Sequence, residues 1–214
     1  QVTRAPISDS HPPVDTAPII HLRQTACCRL HTTMLWCAVG PAPASGIDMA
    51  ISIVQIATPS EIEAVKDLVR ELTEFALTQL PQARQTHAFQ GLEVELAGLP
   101  GIFGPPGGAF LLASVDGSPA GCVAIRKHDD AACEVKRMYV RPSFRGYGLG
   151  AALVDALITK ARELGYRQIV LDSFHTFKAA HHIYRKAGFL DCPPTIDLPE
   201  FLQGKVNFME LSLT

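Results

Sequence analysis

The first forty-eight residues contain no lysine and no glutamate, although both residue types are frequent in the rest of the chain. This stretch holds six of the 16 prolines, and its apolar residues keep neither a helical nor a strand period. A segment with so little periodic apolar surface cannot build a packed core. We therefore predict that residues 1–48 are a non-catalytic extension, disordered or foreign to the natural protein. A targeting leader and translated sequence upstream of a start at Met49 are the alternatives.

The cysteines and histidines lack the spacing of a metal site or of a disulfide framework. The six cysteines form no CxxC pair, and Cys27 and Cys28 are adjacent. That usage is typical of reduced, partly buried thiols in a cytoplasmic protein. His181 and His182 are neighbours on a predicted helix and point to different faces, which makes a poor chelating pair. We therefore predict no metal and a cytoplasmic location.

Two further classes are excluded by charge and hydropathy. The formal net charge is −2, so the chain has no broad basic surface for nucleic acid, and any phosphate binding should be local. No apolar run approaches the length that spans a bilayer. The sequence thus predicts neither a nucleic-acid partner nor a membrane partner.

From Met49 onwards the chain shows the periodic patterns of a single α/β domain, 49–214. We predict strands over 51–56, 109–115, 120–126, 133–140 and 168–172, one opening at Phe189 and one through Met209, Leu211 and Leu213. Helices are predicted after a capping box at Thr58 and over 86–96, 149–164 and 179–187. Hairpins precede a strand–helix–strand unit, which predicts a mixed, mostly antiparallel central sheet with helices on both faces.

Three glycines stand at alternate positions directly behind an arginine, in the stretch "RGYGLGAA" from Arg145 to Ala152. Glycine is costly inside regular structure, so this backbone must do something that side chains would block. The chain lacks the GxxxxGK pattern of a Walker loop. The remaining candidates are a dinucleotide fingerprint and another kind of phosphate-binding loop.

The dinucleotide fingerprint is satisfied in part. Gly146, Gly148 and Ala151 match GxGxxA, and Asp172 follows at the end of the next predicted strand. However, the five residues "RPSFR" separate that loop from the preceding strand, and their proline bars simple strand continuation. The antiparallel hairpin before the loop also disagrees with a Rossmann half, so this interpretation is disfavoured.

The same stretch resembles the acetyl-CoA-binding signature of the GNAT acetyltransferases, Q/R-x-x-G-x-G/A, which Arg145, Gly148 and Gly150 match. Backbone N–H groups over 146–151 can point at a pyrophosphate, and the helix N-terminus adds its positive dipole. Arg145 can add charge-assisted hydrogen bonds.

A second segment, "LDSFHTFKAAHHIYRKAGF", is similar to the next part of that family. The matching residues are Ala180, Tyr184, Gly188 and Phe189. The family often has asparagine three residues before this alanine, where the chain has Phe177. The resemblance therefore implies the fold but no side-chain amide contact to the cofactor from that position.

The resemblance implies acetyl-CoA as co-substrate, held by one set of residues. The implied cofactor-binding residues are Met138, Tyr139, Val140, Arg145, Gly146, Tyr147, Gly148, Leu149, Gly150 and Ala151. Lys136, Arg137 and Arg141 are predicted to join Arg145 in a cationic cluster suited to the cofactor phosphates, with a solvated basic patch as the alternative.

Two side chains are candidates for proton transfer. An alkyl amine with a pKa near 10 is protonated at pH 7, so a base within reach helps the reaction. Glu134 is the candidate base. It shares an alternating face with Lys136, Met138 and Val140 unless a bulge intervenes, and a solvated glutamate paired to Lys136 is an equal alternative. Tyr184 is the candidate acid, since a phenol pKa of about 10 is near that of a thiol; a core-facing aromatic is the alternative.

The implied activity is direct transfer of an acetyl group from acetyl-CoA to a primary amine of a small molecule or amino acid. An acceptor pocket is expected between segments 75–110 and 174–177. The expected partners are acetyl-CoA and a small amine, and a homodimer is left open. A catalytically silent acetyl-CoA-binding module of the same fold is the alternative function.

Overall fold

The computed structural model describes residues 49–214, with the backbone alone for His87 and Ala88. The predicted extension over 1–48 lies outside the described residues and stays a prediction. The strands are Ile51–Gln55 (β1), Ala109–Val115 (β2), Ser118–Lys127 (β3), Ala132–Val140 (β4), Gln168–Phe174 (β5), Leu190–Cys192 (β6) and Val206–Ser212 (β7). The helices are Pro59–Gln79 (α1), His87–Gln90 (α2), Leu92–Ala97 (α3), Leu149–Glu163 (α4) and Lys178–Lys186 (α5).

The strands form one sheet in the order β1-β2-β3-β4-β5-β7-β6. β4 and β5 are parallel, and the other neighbouring strands in this sheet are antiparallel. One apolar cluster joins α1 and α3 to one face, and a second joins α4 and α5 to the opposite face. The predicted fold class, a mixed and mostly antiparallel sheet with helices on both faces, is therefore confirmed.

Helix α1 begins where the sequence predicts. The Thr58 hydroxyl accepts the N–H of Glu61 at 3.3 Å, and the Glu61 carboxylate accepts the N–H of Thr58 at 2.8 Å. This reciprocal capping satisfies two backbone donors that a helix start leaves without partners. Val65, Leu68 and Val69 then bury one face of the helix against the sheet.

The predicted helix over 86–96 is wrong in one respect, since two short helices, α2 and α3, replace it. They are separated at Gly91, which is the N-cap of α3. A glycine inside a helix costs about 1 kcal/mol relative to alanine, so the helix breaks where its propensity is lowest.

Strands β4 and β5 pair over a short length and then part. Their register runs only from Ala132 opposite Gln168 to Glu134 opposite Val170. β4 continues to Val140 and β5 to Phe174 without further pairing to each other. A cleft therefore opens between two neighbouring strands of the sheet.

A β-bulge lies in β4 beside this cleft. Cys122 pairs with Tyr139 and Ala124 with Lys136, so two residues of β4 oppose one residue of β3. Arg137, the first of the two, has a φ of 58°, a left-handed conformation that is uncommon outside glycine.

The bulge reverses the alternation of side chains along β4. Glu134 and Lys136 lie on the face that α1 covers, together with Tyr139, whereas Met138 and Val140 pack with α4. The expectation that Glu134 and Lys136 share a face with Met138 and Val140 is therefore corrected. The extra residue shifts every later side chain to the other face.

Candidate active site

The glycine-rich loop connects the open end of β4 to helix α4. Gly146 and Gly148 have φ values of 86° and 79°, a region that only glycine enters without strain. Gly148 is the N-cap of the 15-residue α4 and has no side chain to cap it. The first N–H groups of α4 are thus available to a ligand, and an anion is the ligand that a helix N-terminus favours.

Gly150, in contrast, allows neighbouring elements to pack closely against the start of α4. A Cβ at this position would lie 2.8 Å from the Ile183 Cδ1 atom and 3.8 Å from the Met138 Cε atom. Ile183 belongs to α5 and Met138 to β4, so the absence of a side chain brings both elements close to the start of α4. Leu149 is buried beneath the loop, while Tyr147 is exposed and Ala151 lies on the outer side of the first turn.

Arg145 lies across the end of β4 rather than along the loop. Its Nε donates to the Val140 carbonyl at 3.0 Å, and its guanidinium lies 5.4 Å from the ring centroid of Phe75 and 5.9 Å from that of Tyr139. A cation–π contact at an exposed site is worth about 0.5–1 kcal/mol. A phosphate close to the loop could therefore draw the guanidinium away at small cost.

The other three members of the predicted cationic cluster are paired with carboxylates. Lys136 lies 2.5 Å from Asp172, Arg137 lies 2.8 Å from Glu95, and Arg141 lies 2.7 Å from Glu71. These pairs connect β4 to β5 and α3, and the residue that follows β4 to α1. These ion pairs are the resting contacts of the three cations; their role toward the cofactor phosphates stays a prediction, and each would have to exchange its carboxylate for a phosphate to serve it.

Tyr184 lies on α5 and is only 4% exposed. Its ring packs against Phe189 with centroids 5.4 Å apart, and no group within residues 49–214 forms a hydrogen bond with its hydroxyl. Burial raises the pKa of the phenol, and the nearby charge of Asp172 raises it further. The phenol thus keeps its proton at neutral pH, as a proton donor must, while the ring belongs to the core.

Both carboxylate oxygens of Glu134 are held by cations. Oε2 lies 2.7 Å from Arg126, and Oε1 lies 2.6 Å from the Nζ of Lys136. The predicted alternative, a glutamate paired with Lys136, therefore describes its resting contacts. Its role as a base stays a prediction, and one of these ion pairs would have to exchange for it to act.

A row of alternating charges crosses the sheet where β4 and β5 part. It runs from Arg126 on β3 through Glu134 and Lys136 on β4 to Asp172 on β5. Lys136 thus connects the candidate base, Glu134, to Asp172 through two ion pairs. The negative charge of Asp172 in turn raises the pKa of the Tyr184 phenol. The sequence motif predicts Asp172 only as a ligand of a dinucleotide. Its position at the end of a predicted buried strand is the sequence feature that could have indicated that Asp172 belongs to this site.

Three phenylalanine rings form a cluster where β5 ends. The rings of Phe75 and Phe177 stack with centroids 5.4 Å apart, and Phe174 lies 5.6 Å from Phe177. The cluster joins α1, the end of β5 and the N-cap of α5. The two segments predicted to face the acceptor thus meet here, and the chain's departure at Phe177 takes part in that contact.

The described part of the chain holds neither a metal-ligand cluster nor a membrane-spanning helix. Over 49–214, no three His, Cys, Asp or Glu side chains are grouped as metal ligands would be. Among the helices of the same range, none combines the length and the apolar character needed to cross a membrane.

Several known proteins are similar to this chain in sequence or in fold. An N-acetyltransferase of Schizosaccharomyces pombe is 37% identical over 147 residues, which is 67% of this chain and 85% of that protein. The N-acetylaspartate synthetase of Rattus norvegicus is 38% identical over 86 residues, or 40% of this chain and 29% of that enzyme. The acetyltransferase YncA of Salmonella typhimurium, solved with its cofactor acetyl-CoA, has a TM-score of 0.56 at 20% identity, over 77% of this chain and 94% of that one.

Most of this site lies within a range of the chain that a protein-family model matches. The sequence model of the acetyltransferase (GNAT) family matches residues 64–189. This range includes the glycine-rich loop, the cleft between β4 and β5, and Tyr184 on α5. The chain therefore belongs to the GNAT family of acetyltransferases.

Proposed function

We propose that this protein transfers an acetyl group from acetyl-CoA to the primary amine of a small molecule or amino acid. Its family supports acetyl transfer in general, and the name of the S. pombe relative supports nitrogen as the acceptor atom. The rat relative, over the part that aligns, is named for acetylating an amino acid. A cytoplasmic location belongs to the same proposal, and a homodimer stays open.

The observation that carries this proposal is the position of the glycine-rich loop. Its uncapped helix start stands at the open end of a cleft between two strands that pair over only three residue pairs. A pyrophosphate at the N–H groups of 146–151 would let the rest of the cofactor extend along the unpaired edge of β4, from Val140 towards Met138. Backbone donors freed by the bulge are suited to polarise a thioester carbonyl there.

The proposed chemistry is a direct transfer. The lone pair of the acceptor nitrogen attacks the thioester carbon, the C–S bond breaks, and the thiolate of CoA leaves. Glu134 removes a proton from the acceptor amine, through a water where direct contact is lacking, and Tyr184 donates a proton to the thiolate.

A catalytically silent acetyl-CoA-binding module is the second candidate. Two observations favour it, namely the core position of the Tyr184 ring and the engagement of both Glu134 oxygens. Under this alternative the cofactor would bind without turnover.

An amine panel distinguishes the two candidates. The protein is incubated with acetyl-CoA and primary amines, including amino acids and diamines, and release of free thiol and the product mass are measured. We expect an acetylated product from at least one acceptor. If calorimetry shows acetyl-CoA binding while every amine is left unmodified, the silent module is correct. A protein that fails to bind acetyl-CoA contradicts both candidates.

A further inference from the structure

A groove of about 550 Å³ lies beside Glu134, where β3 ends and β4 begins. One wall is formed by the loop over 101–107, and the other by Arg126, Lys127, His128 and Glu134. Glu134 is thus shared between the groove and the charged row at the cleft. A molecule in the groove would contact the proposed base directly.

Hydrogen bonds fix the loop wall of this groove. The Tyr166 hydroxyl donates to the Gly107 carbonyl at 2.6 Å, and the N–H of Gly108 donates to the Gly104 carbonyl at 2.9 Å. A Cβ at Gly108 would lie 2.7 Å from the Ile102 carbonyl oxygen, so the loop can adopt this course only with glycine there. The wall is therefore preformed, and it presents backbone together with the apolar side chains of Ile102, Pro105 and Pro106 to the groove.

The strand wall carries more positive than negative charge. Arg126 binds Glu134 through Nε and one terminal nitrogen, which leaves its other terminal nitrogen without a partner among the described residues. Lys127 pairs with Asp130 at the surface, a weak contact that a ligand can exchange. His128 is exposed on the rim.

Asp130 pairs with Lys127 and Asp129 is next to it in the chain, but neither carboxylate lines the groove, where the one carboxylate among the described lining residues is Glu134. The Asp129 carboxylate accepts the N–H groups of Ala131 and Ala132, at 2.7 Å and 2.8 Å, and so is held in its own turn. The groove consequently favours a monoanion, whose charge the guanidinium and the lysine can meet. A dianion would meet stronger repulsion from Glu134.

The groove is separate from the site proposed for the cofactor phosphates. It lies at the Glu134 end of β4, and the glycine-rich loop follows Val140, six residues further along the strand. At about 3.3 Å per residue the two sites are about 20 Å apart. The proposed point of acetyl transfer lies between them, so the groove is on the acceptor side.

We propose that the groove binds a carboxylate of the acetyl acceptor, and that the acceptor class is an amine carrying a carboxylate, such as an amino acid. The carboxylate contacts Arg126, Lys127 and His128, and the amine faces Glu134. This inference rests on the proposed function and adds to it the chemical class of the substrate and the residues that select it.

The test uses acceptor pairs that differ only in the carboxylate. Glycine is compared with methylamine, β-alanine with ethylamine, and 4-aminobutanoate with propylamine, each at saturating acetyl-CoA. We expect the carboxylated member of at least one pair to have a kcat/KM at least tenfold above that of its partner. Equal or better use of the plain amines in all three pairs would overturn the proposal and leave the proposed function intact.

A double variant links the preference to the groove. Lys127→Gln with His128→Gln removes two exposed groove side chains without touching Glu134, whereas an Arg126 variant would also free the proposed base. We expect the preference ratio of the best pair to fall at least fivefold. Lys160→Gln is the matched control, because Lys160 also pairs with a carboxylate three residues away, on α4; its ratio should not change. A ratio that survives the double variant would contradict the role of the groove.

A binding measurement keeps the two proposals apart if turnover is absent. If none of these amines is acetylated, calorimetry with 4-aminobutanoate tests binding in the groove without requiring turnover. Binding that is lost in the double variant and kept in Lys160→Gln supports the groove even though the proposed activity fails. An absence of binding to the unaltered protein overturns it.

Discussion

At the scale of single residues, helix α5 places two buried polar side chains of different character on one side. Tyr184 has a hydroxyl that no described group binds, next to a cleft where a thiolate would need a proton. His181, one turn earlier, is 1% exposed, and its Nε2 has no hydrogen-bond partner within the described residues. Their tests are separable, because one concerns turnover and the other stability.

Tyr184→Phe keeps the ring and removes the only proton that the side chain can donate. If Tyr184 is the general acid, kcat should fall by about 10²–10⁴, the usual contribution of one acid–base group. Acetyl-CoA affinity and melting temperature should change little, since one hydroxyl contributes on the order of 1 kcal/mol. Steady-state kinetics, calorimetry and thermal melting measure the three quantities. Activity within a few-fold of the unaltered protein would identify Tyr184 as a core aromatic only.

His181 makes the stability of the domain sensitive to acid. Burial lowers the pKa of its imidazole from the ordinary value of 6.5, as do the charges of Arg185, Lys178 and His175, while Asp191 acts in the opposite direction. The folded state thus binds this proton less tightly than the unfolded chain. The contribution of the neutral ring is present above about pH 6.5 and is lost as the pH falls below that value.

His181→Gln should reduce that pH dependence, because glutamine does not titrate. Melting temperatures are measured for both proteins at about pH 7.5 and about pH 5.5. We expect the unaltered protein to lose more stability than the variant between the two conditions. Identical losses would mean that other groups cause the acid sensitivity.

At the scale of elements, helix α4 has a glycine with a positive φ next to each of its ends. Gly148 at its start and Gly165 after its end have φ values of 79° and 83°. A left-handed conformation costs a residue with a side chain about 1–2 kcal/mol. The two positions therefore share a backbone requirement and differ in their distance from the proposed cofactor.

Gly148→Val should abolish acetyl-CoA binding in calorimetry and keep most of the helical circular-dichroism signal. Gly165→Val is the matched control, since it introduces similar strain at a position where a Cβ meets nothing within 4 Å. We expect it to lose about 1–2 kcal/mol of stability and to bind acetyl-CoA with unchanged affinity. Equal affinity of both variants would remove the loop from the cofactor site, and NADH binding by the unaltered protein would favour the dinucleotide interpretation.

The bulge in β4 is a second element that the fold must hold in place. Glu95 on α3 binds Arg137 through two hydrogen bonds of 2.8 Å and 2.9 Å, and both side chains are mostly buried. Glu93 on the same helix pairs with Arg70 at 3.3 Å in an exposed position. The two glutamates therefore form a natural comparison.

Glu95→Gln should lower the free energy of unfolding by about 1–3 kcal/mol, because it leaves the partly buried Arg137 without its charged partner. Glu93→Gln should cost about 0–1 kcal/mol, as is usual for exposed ion pairs. Chemical denaturation measures both. Equal, small losses would show that the pair does not hold the bulge.

At the scale of the whole molecule, the first described residues, Met49 and Ala50, contact the rest of the domain. Ala50 donates to the Asp116 side chain and accepts from its backbone N–H, both at 3.0 Å. Met49 packs against the core on the α4 face. The first described residues are thus part of the sheet edge.

A protein that starts at Met49 should melt within a few degrees of the full chain and bind acetyl-CoA with equal affinity. The reason is the absence of periodic apolar faces in residues 1–48. Thermal melting and calorimetry on the two lengths provide the check. A large loss of stability on truncation would mean that the removed segment packs on the domain.

Local patterns in the sequence were enough for the fold class and for the loop. The capping box at Thr58, the Asp-Gly turn before β3 and the alternating glycines act through neighbouring backbone atoms, so their structural effect can be predicted from adjacent letters. Gly91 is a recognisable helix breaker in the sequence, but the apolar period on both sides of it favours one continuous helix.

The remaining features depend on contacts between residues far apart in the chain, and only the tertiary structure decided them. The bulge at Arg137 is held by Glu95, 42 residues away, and it places Met138 and Val140 on the face opposite Glu134. The cations that seemed suited to phosphate found carboxylates on α1, α3 and β5. A charged side chain pairs with whatever the fold brings near it, and sequence spacing does not encode that distance. The sequence by itself thus determined the family, the sheet and the glycine-rich loop, while the fold decided the partners of every charge around the cleft.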